Sequence, residues 1–113
     1  MSHREELLKR LYRAFNARDI DGALSGMRED VIWANGMEGG NVHGHTGVRE
    51  YWTRQWTLID PRVEPVHFAA QSGKVVVDVH QVVRDMNGAT LLDQKVKHSF
   101  TFEDGLVTRF EIG

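Results

Sequence analysis

The sequence predicts an α+β fold, and three observations carry the prediction. Apolar residues recur at three- and four-residue steps through the first half of the chain. From Val63 onward they alternate at the two-residue period of strands. The breaks between the alternating runs are short and have turn chemistry, so the second half folds back on itself as antiparallel hairpins.

The first helix rests on the stripe Leu7, Leu8, Leu11, Ala14 and Phe15, with Arg4, Glu5, Lys9, Arg10 and Arg13 mostly off it. Asp19 offers a side-chain oxygen to the open amides of a second, shorter helix, Ile20 to Met27, which Gly22 and Gly26 weaken. Beyond Arg28-Glu29-Asp30 the segment Val31-Ile32-Trp33-Ala34-Asn35 is β-branched and aromatic, and reads as a short strand. The stretch from Gly36 to His45 contains four glycines and predicts a loop. Thr46 caps a third helix from Gly47 to about Ile59, whose face is Val48, Tyr51, Trp52, Gln55, Trp56 and Ile59, and Asp60-Pro61 stops it. Four strands follow, Val63 to Gln71, Lys74 to Arg84, Leu91 to Phe102 and Leu106 to Ile112, separated by Ser72-Gly73, Asp85-Met86-Asn87-Gly88 and Glu103-Asp104-Gly105. Three helices must then cover one face of this sheet.

Alternation assigns the faces. Val75, Val77, Val79, Gln81 and Val83 form the apolar set of one strand and turn toward the helices; Leu92, Gln94, Val96, His98, Phe100 and Phe102 do so in the next. Gln81, Gln94 and His98 are thus polar residues on an apolar inner face. Convergent polar groups on an apolar lining are what a small-molecule site looks like, and Trp33, Trp52, Trp56, Phe68 and Phe100 are the candidate walls for a flat, hydrophobic ligand. The opposite set, Asp78, His80 and Arg84, suits a solvated face or a subunit contact. Each candidate also has a plainer reading. His98 suits a hydrogen-bonded core position, Asn35 a strand-end turn, and Trp52 and Trp56, four apart on a helix, ordinary packing.

At 113 residues, 41% of them hydrophobic, the chain predicts one domain, 1–113, with room for one core and a pocket. Fourteen basic residues against sixteen acidic, with the basic ones scattered, provide no footprint for nucleic acid or an acidic membrane surface. Without cysteine there are no disulfides, thiolate nucleophiles or cysteine metal sites. His43-Gly44-His45 supplies two histidines where a metal site wants three or four ligands, so no metal is expected. No apolar run reaches the roughly 20 residues of a membrane span, and Met1-Ser2-His3-Arg4-Glu5-Glu6 does not open a signal peptide. A cytoplasmic location is the expectation. Glycine motifs for phosphates, and the strand-turn-helix setting of a nucleophilic serine, are absent from the sequence.

The segments Ala14-Phe15-Asn16-Ala17-Arg18-Asp19-Ile20-Asp21-Gly22, Gly44-His45-Thr46-Gly47-Val48-Arg49-Glu50-Tyr51-Trp52 and Phe102-Glu103-Asp104-Gly105-Leu106-Val107, in that order, resemble the SnoaL-like branch of the nuclear transport factor 2-like superfamily. The resemblance implies a cone-shaped α+β barrel, three N-terminal-half helices on a curved, mainly antiparallel sheet, commonly a homodimer through that sheet. The superfamily includes ketosteroid isomerases, polyketide cyclases, dehydratases, epoxide hydrolases and non-catalytic modules, so fold alone does not name the chemistry.

Ketosteroid isomerase relies on an aspartate base, a tyrosine donor and a protonated aspartic acid. Laid on that enzyme through Asn16-Ala17-Arg18-Asp19, this chain has Asn35 at the base position, Leu11 at the tyrosine position and His98 near the acid donor. An amide cannot hold a proton at neutral pH, so Asn35 can orient a carbonyl but not act as the base. Tyr12, one position on from Leu11, would need to turn by about 100° on a rigid helix to replace the tyrosine, and is not carried over. Two functions remain. One is a cofactor-independent isomerase, cyclase or dehydratase acting on a small hydrophobic carbonyl compound, with His98 as acid or base and Asn35 and Gln81 orienting the substrate. The other is a small-molecule-binding or dimerisation module that kept the cone and lost the catalyst.

Overall fold

The computed structural model describes residues 3–113; Met1 and Ser2, the start of the segment read for a leader, lie outside the described residues. Three helices, α1 (His3–Asn16), α2 (Ile20–Leu24) and α3 (Gly44–Leu58), pack on a curved sheet of six strands: β1 (Met27–Ala34), β2 (Asn41–His43), β3 (Asp60–Gln71), β4 (Lys74–Arg84), β5 (Thr90–Glu103) and β6 (Leu106–Ile112). The strand order is β2-β1-β6-β5-β4-β3. The hairpins β3-β4-β5-β6 form the expected antiparallel meander. β1 joins it by lying parallel to β6, with Met27 opposite Val107 and Trp33 opposite Phe110. The fold is the predicted α+β class.

Alternation placed the inner face as expected. Val75, Val77, Val79 and Val83 on β4, and His98, Phe100 and Phe102 on β5, are buried beneath the helices. Near its start β5 runs past the helical layer, which is why Leu92 and Gln94 share the parity of His98 yet are exposed. Trp52, Phe100, Leu8, Val31, Val48, Val77, Val79 and Val107 are the largest fully buried side chains, so the centre of the core lies where α1 and α3 meet the middle strands.

β1 opens at Met27, taking in Arg28-Glu29-Asp30, and ends at Ala34, one residue before Asn35. Four further boundaries differ from expectation, each with a local cause. The second helix ends at Leu24 instead of Met27, because the Gly26 carbonyl accepts from the Val107 amide at 2.9 Å and draws the chain into the sheet; its cap is as read, with Asp19 accepting from the Gly22 amide. The glycine-rich segment is not all loop, since Asn41–His43 returns antiparallel against Ile32–Ala34 as β2. α3 starts at Gly44, so Thr46 is not its cap. His43 holds that position in extended conformation without a side-chain bond, and Gly44 turns at φ 72° where a Cβ would sit 3.1 Å from the Glu29 carbonyl. Finally, Asp60-Pro61 opens β3 directly. β3 is an edge strand, where Pro61 and Pro65 are tolerated despite their missing donors.

Candidate functional site

Between the helices and the inner face of the sheet lies a cavity of about 420 Å³. Its walls are apolar, with Leu11 and Phe15 from α1, Trp33 from β1, Trp52 from α3, Val63 and Val83 from the far strands, and Phe100 and Phe110 from the centre. Trp33 stacks on Phe110 at 4.1 Å and meets Trp52 edge-on at 5.5 Å, which stiffens this wall. Met37, Leu91, Leu92 and Ile112 also line the cavity and are exposed, so they form an apolar rim. Among the described residues no Asp, Glu, Lys or Arg contributes to the lining.

The polar groups come as two pairs and a single glutamine. The first pair is Tyr12 and His98. Tyr12 lies four residues after Leu8 and three before Phe15, so the packing of α1 that buries Leu8 also turns the phenol inward. His98 reaches the same place from β5, between Lys97 and Ser99, which face the other way. The Tyr12 hydroxyl lies 2.8 Å from His98 Nδ1, and the two rings are parallel within 4°. Burial acts on both groups in the same sense, against charge. It raises the phenol well above its ordinary range and lowers the imidazole to about 4. At neutral pH both are uncharged. A protonated phenol is the better donor to a neutral imidazole, so the ring carries its own hydrogen on Nε2, for which no hydrogen bond is seen among the described residues.

The second pair is on α3. The Gln55 amide lies 3.2 Å from the Tyr51 hydroxyl, which accepts from the Gly36 amide at 3.1 Å, so α3 holds the turn that follows β1. Burial raises the Tyr51 phenol above its ordinary range, and it too stays protonated. Gln81, the single residue, lines the cavity from β4 and accepts at 3.1 Å from the Gln94 amide.

Of the residues singled out in the sequence, His98, Trp33, Trp52, Gln81 and Phe100 converge on the cavity. Four others do not. The side chain of Asn35 is used in its own turn. Its Oδ1 accepts from the Met37 and Glu38 amides at 3.0 and 2.9 Å, and its Nδ2 donates to Glu38. Trp56 stands behind Trp52, packed on Phe15 and under the Arg18 guanidinium. Phe68 lies along β3 beneath Lys9, and Gln94 is exposed and outside the lining, donating to Gln81 within it.

Tyr12, Tyr51 and Gln55 are the polar groups missed. For Tyr12 the signal is its place on the Leu8-Phe15 stripe: Leu11 and Tyr12 both line the cavity, so the phenol enters it without the turn of about 100° that replacing Leu11 would require. His45 bonds the Met27 carbonyl at 2.9 Å, and among the described residues no cluster of three His, Asp or Glu could hold a metal ion. Among them, too, no helix is long and apolar enough to cross a membrane.

A model described as SnoaL-like domain matches residues 8–110. Among solved structures, TerC, co-crystallised with polyporic acid, is 35% identical with a TM-score of 0.88, covering 99% of this chain and 91% of TerC. A Burkholderia pseudomallei K96243 protein described as NTF2-like and of unknown function is 31% identical with a TM-score of 0.89, covering 100% and 91%. A Mycobacterium tuberculosis protein in complex with estradiol-17β-hemisuccinate shares the fold at 15% identity and a TM-score of 0.82, covering 99% and 93%. No curated protein sequence matches.

Proposed function

The chain belongs to the SnoaL-like family, and from that premise we propose that it binds a small, flat, hydrophobic carbonyl compound in the cavity and promotes isomerisation, cyclisation or dehydration there without a cofactor. The observation that carries this reading is the Tyr12–His98 hydrogen bond of 2.8 Å inside an otherwise apolar cavity. These three reactions share a step in which charge develops on a carbonyl oxygen. A neutral imidazole can stabilise that charge by donating from Nε2, as a neutral histidine does in triosephosphate isomerase. The Tyr12 hydroxyl, donating to Nδ1, draws electron density from the ring and strengthens the Nε2 donor.

With no carboxylate in the lining, the fitting substrates are those with an acidic proton of their own, such as enols, hydroxyquinones and 1,3-dicarbonyls. Polyporic acid, the ligand in the TerC crystal, is a dihydroxyquinone bearing phenyl rings and has this character. Gln81 is suited to orient such a compound, and Trp33, Trp52 and Phe100 to flank it.

Polyporic acid tests the reading directly. Quenching of tryptophan fluorescence reports its binding beside Trp33 and Trp52, and turnover is read on dibenzoylmethane, a diaryl 1,3-dicarbonyl, as the absorbance change when its C–H proton moves to oxygen in keto–enol isomerisation. Quenching by polyporic acid, with keto–enol exchange accelerated by wild type and not by His98→Gln while binding persists, is the expected result. No quenching by polyporic acid would remove the ligand class.

A second reading, a binding module without turnover, is favoured by the lining itself, in which no Asp, Glu, Lys or Arg among the described residues stands to move a proton and burial leaves His98 a weak base. Saturable binding with an unchanged ligand would establish it. A homodimer through the outer face of the sheet belongs to either reading; the alternating charges Asp78, His80, Lys95 and Lys97 there supply self-complementary partners, and light scattering in solution tests it.

A further inference from the structure

Gln55 is 9% exposed and lines the cavity, yet its Oε1 has no hydrogen-bond partner among the described residues. A buried amide left half-satisfied is costly, of a kind native interiors rarely keep without use. Rotating the amide does not cure it. The Tyr51 hydroxyl would then donate to Oε1 while still accepting from the Gly36 amide, and Nε2 would be the bare atom. In either setting one polar atom of a held side chain has no partner among the described residues. The other orphan among the described residues, Trp56 Nε1, belongs to a side chain that does not line the cavity.

We propose that Gln55 is a specificity-determining residue that binds a hydroxyl oxygen of the ligand, distinct from the carbonyl oxygen held at His98. The inference rests on the carbonyl-ligand reading above and narrows it to aryl-substituted carbonyl compounds that also carry a hydroxyl. Tyr51 is its positioning residue: it fixes the amide and ties it to Gly36, so the reader of the ligand and the turn at the end of β1 share one hydroxyl. An amide can serve as donor or acceptor, which suits an ionisable enol oxygen in either protonation state.

The test compares polyporic acid with 2,5-diphenyl-1,4-benzoquinone, the same skeleton without its hydroxyls, on wild type and on Gln55→Met, a swap of similar volume that removes the amide. Wild type is expected to bind polyporic acid roughly tenfold more tightly than the analogue, and Gln55→Met to bind both about equally. The melting temperature of the unliganded variant is expected to match or exceed that of wild type, since an unpaired buried group is gone; Gln55→Leu serves as the second variant if the thioether disturbs folding. Equal weakening of both ligands, or a preference that survives in Gln55→Met, overturns the proposal and leaves the carbonyl-ligand reading standing. Equal binding of both by wild type does the same. Failure of wild type to bind either compound overturns both.

Discussion

The two faces of the β4–β5 hairpin use polar residues in opposite ways. Val77 pairs with His98 on the inner face, and one step along, Asp78 pairs with Lys97 on the outer face. On the outside, Lys97 reaches Asp78 at 2.6 Å and His80 reaches Asp93 at 2.7 Å, all four side chains in contact with water. Charge there costs little to keep and contributes little. On the inside, His98 is 6% exposed, has lost its charge at neutral pH, and is satisfied by a phenol instead of a carboxylate. Adjacent residues thus show that polarity in this sheet is tolerated outside through solvent and inside only through neutrality.

Substitutions should separate the faces in order of size. Trp52→Ala empties a fully buried position of the inner layer, where Trp52 is 1% exposed, and is expected to cost about 3–5 kcal/mol in urea denaturation. Acid should do nearly as much through one residue. Burial holds His98 at about 4 against an ordinary 6.5, so between those values the unfolded chain binds a proton that the native chain refuses. The contribution is complete above about pH 6.5 and is lost as pH falls through the window toward 4, amounting to about 3 kcal/mol. Denaturation midpoints between pH 7 and 4 should show this slope in wild type and a flatter one in His98→Gln.

Tyr12→Phe leaves Nδ1 of His98 without its donor and is expected to cost about 1–3 kcal/mol by thermal or chemical denaturation. Lys97→Ala, on the outer face, should leave the denaturation midpoint unchanged within error at protein concentrations where light scattering shows the monomer. A large loss there, or none at Tyr12, would erase the distinction between the faces.

Most of the sheet was legible because alternation is a local signal. Val75, Val77 and Val79 announce their face without reference to any other strand, and His98 follows from its parity with Phe100 and Phe102. What was not legible depended on meetings between distant segments. The pairing of β1 with β6 leaves no mark in either segment alone, and nothing local distinguishes Asn41–His43 from the rest of a glycine-rich loop. The site divided along the same line. Trp33, Trp52, Gln81, Phe100 and His98 were found from periodicity, whereas Asn35 spends its amide on its own turn and Trp56 packs one layer back. Tyr12 was lost because its partner lies 86 positions away on β5, and the Tyr51–Gln55 pair because a helix face rich in tryptophan reads first as packing.

The parallel seating of β1 on β6 also sets the order of assembly. β6 is a central strand, bounded by β5 on one side and β1 on the other. While the chain is being synthesised, β1 emerges early and waits through the whole meander before its main neighbour exists. Its apolar side, including Trp33, must be shielded in the meantime by α3 or by a chaperone. Premature termination ahead of Leu106 would therefore not trim an edge but divide the sheet in two, taking Phe110 and Ile112 from the cavity and leaving β1 with only the three-residue β2 beside it.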